Sequence, residues 1–190
     1  MANYPYIIAS LPDFTPDFER HEFDYDGLVT FIKGQCPAKD AAYIDLLQKG
    51  LDEGGAEEGF YDEAAASGNA FIRNFFSLDH SVRSAKVAFL EGLDYEGPDF
   101  EGQEEIPGIF ATENIIEREK RLDRFYWEKA EDLVLGELFS IDIVLSFLVK
   151  ANIVRRWNRL DPAEGAELFG RLVQEVRGTF KGVEYNPDTK

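Results

Sequence analysis

The side chain that most invites chemistry in this sequence is the carboxylate. The chain carries 37 Asp and Glu against 20 Lys and Arg, a formal charge of -17 over 190 residues. Acid–base or metal chemistry needs convergence as well as supply. Helical di-metal proteins place a Glu three residues before a His, and neither His21 nor His80 has one there. Two histidines leave a His-based metal site or a catalytic triad short of parts. The stretch "DEGGAEEG" at 52–59 shares the composition of a calcium loop but not its ligand spacing; its glycines mark an exposed turn. Cys36, the single cysteine, has no basic neighbour tight against it to lower its thiol pKa. There is no phosphate-binding Gly-x-x-x-x-Gly-Lys-[Ser/Thr], no Gly-x-Ser-x-Gly elbow and no glycine-rich strand-to-helix turn. The expectation is no catalytic, cofactor-binding or metal-ligating residue and no small-molecule substrate. An enzyme would need two acids converging in a cleft.

Three charged constellations remain. Arg73, Asp79 and Arg83 share one helical stretch, with Asp79 and Arg83 four apart and able to pair. Asp142, Ser146 and Lys150 recur at four-residue intervals, a narrow polar stripe on an apolar segment. Two turns separate Asp142 from Lys150, about 12 Å, so each needs a partner on another helix or in solvent. Arg155, Arg156 and Arg159 then close the segment, where cations favour the helix C-terminus. Residues 150–190 hold eight basic and six acidic residues; residues 1–149 hold twelve and thirty-one. The basic end is thus suited to dock on the chain's own acidic half or on an acidic partner. Arg155, Arg156, Arg159, Arg73 and Arg83 are the candidate partner contacts, with the acidic stretch 93–106.

The elements that must position these groups read as helices. Phe71, Phe75, Leu78, Val82, Ala85 and Phe89 step by 4, 3, 4, 3 and 4, one face of a helix over 69–91 that ends at Gly92. Residues 137–158 are apolar almost all round, a central buried helix. Shorter helices are expected at 26–34, 39–51 and 57–66. Residues 4–25 read as irregular or as one short strand. Residues 93–111 hold three Gly, two Pro and six acids and read as a long acidic surface loop. Thr112 is the expected N-cap of a charged helix in which Glu117 and Arg121 pair. In "LDPAE", Asp161 caps, Pro162 opens and Glu164 completes a capping box for a last helix. That helix carries Leu168, Phe169, Leu172, Val173, Val176 and Phe180 on one face, and the tail 182–190 is expected to fray. The fold class is all-α, a bundle of about six to seven helices in a single domain, 1–190. Its possible halves, 1–92 and 112–182, would be joined by the 93–111 loop.

Composition narrows the function classes. At 44% hydrophobic, with sixteen Phe and eight Tyr, the chain can fill a core. A pI near 4.5 opposes nucleic acid and anionic lipid as partners. The most membrane-like run, 133–149, holds Glu137 and Asp142 and is shorter than the ~20 residues of a span. The first residues lack the basic and apolar regions of a secretion signal, and one cysteine suits a reducing compartment.

Three stretches, "YPYIIASLPDF", "FIRNFFSLDHSVRSAKVAFLEG" and "VLSFLVKANIVRRWNRLDPAEGAELFGRLVQEV", together resemble an uncharacterised bacterial family. Its genes lie among those for V/A-type ATPase subunits. The family is itself distantly similar to the C subunit of those complexes, called d in eukaryotes, the all-helical piece that seats the central stalk on the proteolipid ring. The resemblance implies a non-catalytic accessory or C-subunit-like component of a rotary ATPase. Its partners would be the central-stalk and proteolipid-ring subunits, and it would be cytoplasmic and peripheral to the inner membrane through that complex. The alternative is a free-standing acidic helical adaptor that binds a basic protein.

Overall fold

The computed structural model describes residues 3–179 except 53, 55, 58 and 161. Asp161, the Glu164 side chain, Phe180 and the tail 182–190 lie outside the described residues, and so do the expectations placed on them. Among the described residues there are nine α-helices: α1 Tyr4–Ala9, α2 Tyr25–Gln35, α3 Ala38–Leu51, α4 Phe60–Ala65, α5 Ala70–Glu91, α6 Ile106–Phe110, α7 Ile115–Asp132, α8 Ile141–Asn158 and α9 Pro162–Thr179. A single 3-10 turn, Gln103–Glu105, precedes α6. The all-α class is as the sequence implies. The described helices outnumber the expected six or seven because α1 and α6 fall where local pattern indicates a strand and a loop.

The centre of the bundle is α8, against which α1, α2, α3, α5 and α7 all pack. Val144, Leu145, Leu148, Val149 and Ala151 are within 1% of complete burial, as a helix apolar on every side requires. Fully burying one such side chain stabilises by about 1.5–3 kcal/mol before entropy is counted. The main core runs from Ile7 to Val154 and joins both sides of the 93–111 stretch. The α5 face is realised over most of its length: Phe71, Phe75, Val82 and Ala85 are buried and Leu78 half-buried, while Phe89 at the last turn is exposed. Gly92 ends α5 at φ 69°, a left-handed position that suits glycine, and Leu93 N–H closes on Ala88 O at 2.9 Å. Close approach dictates a second glycine. A Cβ on Gly50 would stand 2.3 Å from ring carbons of both Phe60 and Phe76.

Several boundaries differ from those the sequence implies. Residues 4–9 are helical rather than extended. Asn3 Oδ1 accepts from Tyr6 N–H, Pro5 sits in the first turn where its missing N–H costs nothing, and Ile7 is buried. The 93–111 stretch is not all loop. Its Ile106, Ile109 and Phe110 line one side of α6 and pack on Val82, Ala85 and Phe125, a second apolar cluster. Asn114, not Thr112, caps α7, accepting from Glu117 N–H at 3.0 Å. Arg121 does not turn to Glu117 but donates to Thr112 Oγ1 and Gly108 O, at 2.8 and 3.0 Å. The central helix starts at Ile141, four residues late. Gly136 at φ 90° reverses the chain in a run of tight turns after α7, and Ser140 is the residue that re-enters helix.

Residues 11–24 hold no helix but are fastened to the bundle. His21 N–H donates to Asn158 Oδ1 at 3.0 Å and Asn158 Nδ2 donates back to His21 O at 2.6 Å. Phe14 stacks on Phe147 and Phe18 packs on Trp157. No helix of the described residues is long and apolar enough to cross a membrane.

Candidate functional site: two buried carboxylates and the apolar ends of the bundle

Helices α7 and α8 run antiparallel, as the pairs Ala130–Ser146 and Asp123–Trp157 require, and the start of α5 meets the start of α8 at Asn69–Asp142. Between them is a cavity of about 420 Å³ whose wall includes Asp79, Arg83, Asp123, Tyr126, Asn152 and Arg156. Two buried carboxylates therefore do reach one cavity, the arrangement an acid–base enzyme would need. Their hydrogen bonds show how they are used.

Asp79 accepts three donors. Tyr61 O–H approaches Oδ2 at 2.7 Å, Tyr126 O–H approaches Oδ1 at 2.8 Å, and Arg83 Nε–H reaches Oδ2 at 2.8 Å. Burial and then the Asp79 charge hold both phenols protonated well above the ordinary tyrosine range. Asp123 accepts from Trp157 Nε1–H at 2.6 Å and from Arg156. Burial raises its carboxyl above the usual carboxylate range despite the Arg156 charge beside it. A general base must present a lone pair to its substrate. Three donors leave Asp79 one of its roughly four lone-pair positions, and both donors to Asp123 fall on its Oδ2. Among the described residues no group of three or more His, Cys, Asp or Glu is placed to hold a metal ion. Burial and the nearby Asp40 push the Cys36 thiol up, away from the reactive range. His80 packs its ring edge on Tyr61, and His21 Nε2 lies 3.3 Å from Asp17.

The candidate contact arginines are placed as follows. Arg83 and Arg156 clamp the two buried acids. Arg155 lies over the Tyr25 ring at 4.5 Å. Arg73 donates to Ser67 O at 2.6 Å. Arg159 is exposed just past the end of α8. The polar stripe on α8 finds its partners on other elements. Asn69 Nδ2 donates to Asp142 at 2.5 Å, Ser146 Oγ donates to Ala130 O at 2.6 Å, and Lys150 Nζ reaches Glu131 at 3.0 Å above the Trp127 ring.

What sequence reasoning missed is apolar and on the outside. In the turn between α7 and α8, Leu135 and Leu138 are 88% and 75% exposed, and Phe139 is exposed beside them. At the other end of α7, Ile115 and Ile116 face solvent. On α9, Leu168, Phe169 and Leu172 share a face and are exposed too. The pattern on α9 revealed an apolar face, but periodicity carries no information on whether anything covers it.

Residues 87–179, from the last turns of α5 through α9, are similar to a family described as a protein of unknown function, DUF2764. No curated protein and no solved structure matches the chain.

Proposed function

We propose that this protein is a non-catalytic connector, an accessory or C-subunit-like component of a V/A-type rotary ATPase, held at the inner membrane through the complex. The observation that carries the connector reading is the exposed apolar surface at the two ends of α7. Ile115 and Ile116 open α7, and Leu135, Leu138 and Phe139 follow its last turn. The 18-residue α7, whose first two residues are Ile115 and Ile116, spans about 27 Å between the two groups at 1.5 Å per residue. Contiguous exposed apolar side chains mark interaction surfaces, and two of them, one at each end, suit a piece that joins two bodies. The identity of those bodies rests on the family resemblance of the three quoted stretches.

The test is a tagged pull-down from native membranes in mild detergent, with the bound proteins identified by mass spectrometry. Wild type is expected to bring down proteolipid-ring and central-stalk subunits in fixed ratio. The pair Leu135→Ser, Leu138→Ser should lose one group of partners, and Ile115→Ser, Ile116→Ser the other. Recovery of no ATPase subunit by wild type would refute the ATPase assignment. Loss of all partners together from either pair would refute the two-ended connector.

A further inference from the structure

Beyond the two ends lies a cleft of about 750 Å³, walled by the last turns of α5 and by residues 93–107. Its floor is apolar, from Ala85, Ala88, Phe89, Phe100 and Ile106, and Asp94, Asp99 and Glu104 stand on its wall. Leu93, just past the end of α5, also lines the cleft and is more than half exposed. No Lys or Arg occurs anywhere from residue 87 to residue 117, a stretch that holds nine carboxylates. Gln103 also lines the cleft, and its buried Oε1 has no donor among the described residues.

We infer that this cleft is a docking groove for a basic amphipathic segment of a partner protein. Such a segment would set one or more aliphatic or aromatic side chains on the Phe89–Phe100 floor and present Lys or Arg to Asp94, Asp99 and Glu104. Each feature selects for one property of the guest. The floor selects apolar side chains. The one-signed wall rejects acidic chains and nucleic acid and attracts cations from a distance. The exposed Leu93 adds apolar contact that a small cation would not use. A turn of Gln103 toward the groove gives its amide oxygen an N–H donor from the guest. The inference rests on the protein being an interaction module and not on which complex it joins.

The probe is a fluorescein-labelled synthetic peptide of Leu and Lys at helical spacing, with a Leu/Glu peptide of the same pattern as comparison, titrated with the full-length protein by anisotropy. The Leu/Lys peptide should bind saturably with one-to-one stoichiometry, more weakly as salt rises, and the Leu/Glu peptide should not. The triple variant Asp94→Lys, Asp99→Lys, Glu104→Lys should lose about tenfold or more in affinity. A control that reverses Glu19, Glu22 and Glu128, exposed carboxylates elsewhere, changes the net charge equally and should lose less than about threefold. Leu93→Ser, at an exposed apolar position, should weaken binding with no change in charge or thermal midpoint. Equal losses in the two triple variants would overturn the inference, because general electrostatics would then account for binding. Saturable binding of the Leu/Glu peptide would overturn it as well. So would a concentration-dependent dimer that the cleft variant dissolves, which would make a second copy of this chain the occupant.

Discussion

Replacing Asp79 by Ala should cost this protein several kcal/mol, and most of that loss should come from two tyrosines rather than from the arginine. Asp79 is 7% exposed. Its three donors stand 18 and 47 residues away, at Tyr61 and Tyr126, and four residues along at Arg83. Arg83 is 59% exposed, so on losing Asp79 it returns to water at little cost. The phenols are less fortunate. Each would keep a poorly hydrated O–H with no acceptor, at about 1–3 kcal/mol apiece. The sum is about 2–6 kcal/mol, a large part of the 5–15 kcal/mol that holds a typical domain together. Asp79→Asn keeps a side-chain oxygen for one phenol and should cost roughly half as much. Arg83→Ala should cost under about 1 kcal/mol. Urea unfolding, followed by tryptophan fluorescence and far-ultraviolet circular dichroism, gives all three numbers at constant slope. The reasoning fails if Asp79→Ala lies within about 0.5 kcal/mol of wild type. It also fails if Arg83→Ala costs as much as Asp79→Ala, because the ion pair would then be the main tie.

Two further outcomes follow from the same contacts. Tyr126 keeps its proton in the folded state well above the ordinary tyrosine range, because of burial and Asp79, while the unfolded chain ionises near pH 10. Stability is therefore whole below pH 10 and falls above it, by up to about 1.4 kcal/mol per pH unit for this group, and Tyr126→Phe should flatten that decline in urea titrations from pH 9 to 11. Arg156→Ala strands Asp123, whose carboxyl burial already raises; the variant should lose about 1–3 kcal/mol at pH 7 and less at pH 4, where Asp123 takes up its proton, whereas Arg159→Ala should change the urea midpoint little at either pH.

Much of the bundle was legible in the sequence because local patterns carry it. The 4, 3, 4, 3, 4 spacing of apolar residues fixes the inward face of α5, and Gly92 supplies the left-handed residue that ends it. The Asp142–Ser146–Lys150 stripe was legible as a set of groups in need of partners on other helices. Which partners was not: Asn69, Ala130 and Glu131 come from 16 to 73 residues away. The same limit hid both buried acids. Nothing local joins Tyr61 to Asp79, or Asp123 to Trp157, and helix packing alone brings them within hydrogen-bond reach. Local rules also misjudged starts. Thr112 and Asn114 are both good caps, and the choice fell to Asn114 because Thr112 is engaged with α6 through Gly108.

The charge arithmetic of the sequence changes meaning once these contacts are known. Residues 150–190 are net positive and the rest strongly negative, which casts the basic end as a docking surface. Yet Arg156 is spent on Asp123, Lys150 on Glu131, and Arg155 on the Tyr25 ring. Arg83, from the candidate set on α5, is spent on Asp79. Those cations serve the molecule's own interior and flanks, where they offset carboxylates or pack on aromatic faces. The acids from 87 to 117 have no cation in their own stretch, and several stand beside exposed leucines and phenylalanines. The surface left for a partner is therefore more acidic than the sequence dipole implies, and it is apolar in the same places. A partner that matches this surface has to bring the positive charge itself, set among side chains that prefer to leave water.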